Sequence, residues 1–138
     1  MRDSVLTFGV PLVGYASLWI SGSLIFLIYF KIFDIPTDLK HTVAMIRKLP
    51  APLAIVTVPI CSFISFFIAT EILRRETAVS FDAAKLLHVG IISVLATIVL
   101  DVLITVVGEK MDIRVFPVNL MYLFAWLVII PAVVLAGL

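Results

Sequence analysis

The sequence predicts an all-α integral membrane protein, an antiparallel bundle of four transmembrane helices with a short interfacial amphipathic helix between helices 1 and 2. Hydrophobic residues make up 63% of the 138-residue chain and charged residues only 14%. A soluble domain carries roughly a quarter charged residues, because it must cover itself with groups that face water. The charges here also cluster at the borders of long apolar runs. We therefore expect one multi-pass domain, residues 1–138, in a lipid bilayer.

The apolar runs predict spans at approximately residues 4–32, 50–73, 81–108 and 115–137. Each run exceeds the roughly 18 apolar residues that a helix needs to cross the hydrocarbon core. Helices are required because unpaired backbone amides are costly in lipid, and four segments joined by short loops do not close a barrel. The third run is the only one that contains an acidic residue or a histidine well inside its borders, namely His88 and Asp101.

The segment from Ile35 to Lys48 predicts the interfacial helix. Thr37 is a suitable N-cap, and Asp38 suits the first turn, where negative charge is favourable. An amphipathic helix of this kind lies in the plane of the membrane surface. Its apolar and basic positions are, respectively, Leu39, Val43 and Ile46, and Lys40, Arg47 and Lys48.

The distribution of basic residues gives a small bias in orientation. The side of the membrane that holds the first and third loops carries six basic residues: Lys31, Lys40, Arg47, Lys48, Lys110 and Arg114. The opposite side of the membrane carries four basic residues: Arg2, Arg74, Arg75 and Lys85. The positive-inside rule then favours both termini outside. A bias of this size leaves insertion in both orientations open.

Small residues form a stripe along each predicted span, which permits the close packing that membrane helices require. The stripes are Gly14, Ser17 and Ser21; Ala54, Ser62, Ser65 and Ala69; Gly90, Thr97, Asp101 and Gly108; and Ala125, Ala132 and Ala136. Pro59 and Pro131 lie inside spans two and four. Each removes one backbone hydrogen bond, so we expect a modest kink at each.

Asp101 is the residue that a membrane location has to explain. It lies four residues past the middle of the apolar run 86–108, about 6 Å from the midplane at a rise of 1.5 Å per residue. An aspartate near a helix centre costs roughly 2.5–3.5 kcal/mol on insertion scales. We therefore expect Asp101 to face the interior of the bundle, either protonated or hydrogen-bonded by polar neighbours.

Counting residues from the span borders predicts a polar layer at the depth of Asp101. No Lys or Arg falls at this level, so an ion pair within the chain is not expected. Trp19 and Trp126 lie near the centres of their spans, and a central indole N–H needs an acceptor such as Asp101. The candidate ion- or substrate-binding residues are Asp101, Tyr122, Ser21, Thr57, Asn119 and Trp126.

Two interpretations of Asp101 remain open at this point. In the first, Asp101 binds a proton or cation, as intramembrane acids often do, and the protein is a small proton- or cation-coupled transporter. Four helices enclose little space, so this interpretation implies a homo-oligomer. In the second, Asp101 is a structural hydrogen-bonding group, and the chain is a non-catalytic accessory or assembly subunit that binds another membrane protein.

Other function classes are not expected. The net charge of +1 offers no electrostatic basis for binding nucleic acid. The single cysteine, Cys61, excludes an intrachain disulfide and a multi-cysteine metal site. His41 and His88 are too far apart in the predicted topology to form a haem or zinc pair. The chain has no P-loop, dinucleotide loop or nucleophile–base arrangement, so we expect no metal, no cofactor and no enzymatic activity.

Overall fold

The computed structural model describes residues 2–36, 42–77, 82–110, 112–114 and 116–138, and the regular elements within these ranges are all helical. Four helices are long and apolar enough to cross a membrane, as the sequence predicts. In chain order, the elements are α1 (Arg2–Ile32), α2 (Thr42–Ile46), α3 (Ala51–Thr77), α4 (Ala83–Val102), α5 (Val118–Leu127) and α6 (Ile129–Gly137). A π-helical segment, Leu103–Gly108, continues α4, and α5 with α6 forms the fourth long helix.

The observed helix ends lie close to the predicted borders. α4 begins after Asp82, whose carboxylate accepts a hydrogen bond of 2.9 Å from the Lys85 N–H and so caps the first turn. Within the predicted interfacial segment, the structure shows a helix of five residues, α2. The predicted capping and first-turn residues Thr37 and Asp38, together with His41, lie outside the described residues.

The long helices pack in a closed ring. α1 contacts α3 and α4, while α5 and α6 contact both α3 and α4, so α1 lies diagonally opposite α5. One bond between neighbouring helices joins the Ser62 hydroxyl of α3 to the Ala125 carbonyl of α5, at 2.8 Å. The first and third connections lie at the same end, because the Glu109 side chain bonds the backbone of α2. That shared end agrees with the topology expected from the sequence.

α3 shows an aliphatic stripe on its exposed face and small and polar side chains on its buried face. On α3 the exposed stripe repeats every four residues, and it consists of Val56, Ile60, Ile64, Ile68 and Ile72. The opposite face is buried and holds Ala54, Ser62, Ser65 and Ala69, the small residues that the sequence assigns to packing. A helix in water places its apolar stripe toward the core. The arrangement in α3 is the reverse.

Two apolar clusters fill the interior, one toward each end of the bundle. The cluster at the end opposite α2 includes Leu6, Phe66 and Leu86. The cluster at the α2 end includes Phe30, Val43 and Met121. Trp19 packs against both clusters, so it marks the level at which they meet. Asp101 belongs to neither cluster.

The last two long helices depart from regular α geometry. The π-helical segment was not anticipated from the sequence, whereas the interruption before Pro131 agrees with the irregularity expected there. In the π-helical segment the Glu109 N–H bonds the Ile104 carbonyl at 2.9 Å, five residues back. The fourth helix is interrupted at Val128, three residues before Pro131. Because Pro131 has no N–H for the Leu127 carbonyl, the helix relaxes at the adjacent residue. At Pro59, by contrast, α3 continues as one helix.

Candidate functional site

Asp101 lies on the buried face of α4 and is only 2% exposed. The Tyr15 hydroxyl of α1 donates a hydrogen bond of 2.8 Å to Asp101 Oδ1. The Trp126 indole Nε1–H of α5 donates a hydrogen bond of 2.7 Å to Oδ2. Both carboxylate oxygens therefore have a donor, and each donor comes from a different helix. We call these three residues the Asp101 site.

The expected bond between a central tryptophan and Asp101 is confirmed for Trp126. Trp19 also lies beside the site, with its ring centroid 6.2 Å from that of Tyr15, one turn earlier on α1. The Trp126 ring stacks on Tyr122 at a centroid distance of 5.9 Å and an interplanar angle of 10°. This stacking holds the indole so that its N–H points at the carboxylate. Aromatic rings from two helices thus surround the acid.

Tyr122 is buried close to Asp101, as predicted, but it is not a hydrogen-bond partner of the carboxylate. Its hydroxyl shares a bond of 2.7 Å with Thr105 Oγ1, in the π-helical segment. Thr105 lies four residues after Asp101, so α4 and its π-helical extension present both polar groups to α5. The polar layer therefore contains two neighbouring hydrogen-bonded sets rather than one.

The structure does not bring Ser21, Thr57 or Asn119 to the Asp101 carboxylate. The Ser21 hydroxyl bonds the Ser17 carbonyl of its own helix at 2.8 Å. Thr57 shares a 3.1 Å bond with the Tyr29 hydroxyl. Asn119 is exposed in the first turn of α5, where its side-chain oxygen accepts a bond from the next backbone N–H. Ser21, Thr57 and Asn119 therefore make hydrogen bonds to groups other than Asp101, and the binding roles of all six candidate residues stay predictions.

Tyr15 is the partner that sequence reasoning missed. α1 has 31 residues and is about 46 Å long, so it is longer than a bilayer requires. Counting depth inward from its charged borders therefore placed Ser21 at the level that the Tyr15 side chain reaches. One signal was available in the sequence. Tyr15 lies one turn from the central Trp19, on the same face of α1.

A cavity of about 50 Å³ lies inside the bundle, on the α2 side of Asp101. α1 and α5 supply most of its walls, and Asp101 is the only ionisable group of the acidic or basic type among the residues that line it. Gly22 widens it, because a Cβ at this position would have no neighbour within 4 Å. The aromatic side chains that line the cavity are Trp19, Phe26 and Tyr122.

α2 lies over this cavity. Val43 and Ile46, both buried, line the cavity on its α2 side and separate the cavity from the end of the bundle. Glu109 holds α2 in this position, because its carboxylate accepts bonds from the Val43 N–H at 3.0 Å and from the Ala44 N–H at 3.5 Å. Negative charge is favourable at the start of a helix, so the Glu109 contact both stabilises the helical conformation of α2 and fixes its position.

The chemistry available at this site is limited. Among the described residues, no group of three or more His, Cys, Asp or Glu side chains could hold a metal ion. Comparison of the chain with protein-family models, with curated proteins and with solved structures gives no match. The function therefore has to be argued from the geometry of Asp101, its two donors and the adjacent cavity.

Proposed function

We propose that this chain is a multi-pass membrane protein that binds a proton or a small cation at Asp101 and couples that binding to transport. The membrane location is supported by the four long apolar helices and by their outward aliphatic stripes. Exposed apolar surface on this scale is unfavourable in water and suits lipid. The observation that carries the transport proposal is Asp101 itself.

Asp101 is buried at the junction of two apolar clusters, where a charge is costly. Its two donors, Tyr15 and Trp126, are uncharged side chains. Among the residues that the structure describes, the ion pairs involve other acids, on α3 and in the loop before α5. Neutralising Asp101 therefore falls to a proton or to a cation that enters the cavity.

The size of the cavity limits the ligand. A water molecule needs about 10–15 Å³ measured in the same way, whereas drug-sized ligands occupy pockets of about 300–1,000 Å³. A cavity of about 50 Å³ accommodates a small ion or a few water molecules. The aromatic faces around it are compatible with a cation, because ring quadrupoles attract positive charge. We expect a homo-oligomer, since a cavity of about 50 Å³ within one bundle leaves little room for a transport pathway.

One observation favours the alternative, an accessory or assembly subunit. Both oxygens of Asp101 already accept hydrogen bonds, as they would in a purely structural role. The two proposals differ in what a variant should lose. A structural Asp101 controls stability and assembly, whereas a coupling Asp101 also controls flux. The accessory proposal further predicts stable co-purification with a different membrane protein in mild detergent.

Flux measurements in liposomes test the transport proposal. Purified protein is reconstituted with a trapped pH-sensitive dye, and proton movement is followed under an imposed pH gradient with Na⁺ or K⁺ on either side. We expect flux that Asp101→Asn removes. Asp112→Asn is the matched control, because it removes the same charge from an exposed acid outside the long helices. Absence of flux in the unmodified protein under all gradients would exclude the transport proposal.

A further inference from the structure

A line of polar side chains runs along the buried face of α4 and its extension. It consists of Ser93, Thr97, Asp101 and Thr105, which are spaced four residues apart. Successive members lie about 6 Å apart along the helix axis. Ser93, Thr97 and Thr105 are 0% exposed and Asp101 is 2% exposed. The sequence analysis assigned Thr97 and Asp101 to the packing stripe of this helix.

The members of this line differ in how their polar atoms are satisfied. Asp101 has Tyr15 and Trp126 as donors, and Thr105 shares a bond with Tyr122. The hydroxyls of Ser93 and Thr97, in contrast, have no hydrogen-bond partner among the described residues. Buried hydroxyls without a partner are rare, because each costs desolvation free energy. Two of them, one turn apart and in line with a carboxylate, indicate a polar ligand.

Water is the ligand whose chemistry fits these groups. A hydroxyl both donates and accepts, and a buried water typically makes about three hydrogen bonds to such groups. We propose that Ser93 and Thr97 bind water molecules that continue the polar path from Asp101 toward the start of α4. The inference rests on the proposed function, because it gives protons a route to Asp101. In each transfer a covalent O–H bond forms on the Asp101 carboxylate as an O–H bond of a hydrated proton breaks.

This route approaches Asp101 from the side opposite the cavity. The cavity lies toward α2, which Glu109 ties to the C-terminal end of the π-helical segment. Ser93 and Thr97 lie toward the N-terminal end of α4. Beyond Ser93, the buried side chains of Leu86 and Val89 close that face of the helix. Asp101 thus has the cavity on its α2 side and the Ser93–Thr97 line on its other side.

Exchange of the Trp126 indole proton tests the path without requiring transport. The chain contains only two tryptophans, so the two indole N–H signals of ¹⁵N-labelled protein in nanodiscs are assigned with one Trp19→Phe variant. Exchange in D₂O is then compared between the unmodified protein and a variant that combines Ser93→Ala with Thr97→Val. Thr70→Val is the matched control, because the Thr70 hydroxyl is buried but bonds the Phe66 carbonyl at 2.8 Å.

We expect the double variant to slow exchange at Trp126 roughly fivefold, the factor that one lost hydrogen bond typically represents. Trp19, which lines the cavity, and the Thr70→Val control should exchange at unchanged rates. An unchanged rate at Trp126 would overturn the inference, even if liposome flux supports the proposed function. Slower exchange without flux in any gradient would support the water path and contradict transport. If the double variant does not fold, Ser93→Ala alone gives the same comparison.

Discussion

Replacing Asp101 by asparagine should weaken its hydrogen bonding to Tyr15 and Trp126, and a double-mutant cycle with Trp126 measures the energetic coupling of that pair. The carboxylate accepts from both Tyr15 and Trp126, at 2.8 and 2.7 Å. An asparagine side chain has only one acceptor oxygen, and its NH₂ group is a donor. It can therefore keep one of these bonds but must set its NH₂ group against the other donor.

The expected size of the coupling follows from the geometry. Hydrogen bonds between membrane helices average about 0.6 kcal/mol and reach about 1.7 kcal/mol. Bonds to a charged group are stronger, about 1.5–3 kcal/mol. The 2.7 Å bond from Trp126 Nε1 is at the short end of the range for such pairs. We expect a coupling free energy of about 1.5 kcal/mol between Asp101→Asn and Trp126→Phe.

Unfolding in lipid–detergent bicelles by increasing SDS, followed by circular dichroism, gives the free energies of the wild type, both single variants and the double variant. Circular dichroism is preferable to fluorescence here because the cycle removes a tryptophan. The control cycle pairs Asp101→Asn with Tyr29→Phe, since Tyr29 bonds Thr57 and not Asp101. Its coupling should lie within about 0.5 kcal/mol of zero. A Trp126 coupling no larger than the control would refute the assignment of this bond.

Two further predictions concern packing and the position of α2. Gly14→Ala should destabilise the fold by about 1–3 kcal/mol, because the new Cβ would lie 2.5 Å from the Phe66 ring. In the same SDS assay Gly22→Ala should be neutral or stabilising by up to about 1 kcal/mol, because its Cβ would meet nothing within 4 Å. Similar losses of stability for both variants would contradict the packing. Glu109→Gln should raise the hydrogen-exchange rate of the Val43 amide severalfold, because about 1 kcal/mol of capping and helix-dipole stabilisation is lost. An unchanged exchange rate would show that Glu109 does not hold α2 in place.

The helices were predictable from the sequence because charge and hydropathy mark their borders directly. The burial of Asp101 followed from the cost of exposing a carboxylate to lipid, and the Trp126 bond followed from the need of a central indole for an acceptor. Both inferences depend on single residues and their local environment. They do not require the relative position of two helices to be known.

The partners of Asp101 were less predictable because depth counting assumes straight helices that begin at the membrane surface. The length of α1 shifts its register, so Tyr15 was missed and Ser21 was placed at the site. Asn119 was assigned to the interior, but α5 begins at Val118 and leaves that side chain in an exposed first turn. The π-helical segment is a change in hydrogen-bond register, which a hydropathy pattern does not encode.

The most direct test of the central claim measures flux and stability on the same preparation of Asp101→Asn. Proton flux into liposomes is recorded first, and the folded fraction and SDS stability are then measured on protein from the same sample. We expect flux to be lost while most of the protein remains folded, since Tyr15 or Trp126 keeps a bond to asparagine. Flux that persists in the folded variant, or that falls only in proportion to the folded fraction, would contradict a coupling role for Asp101.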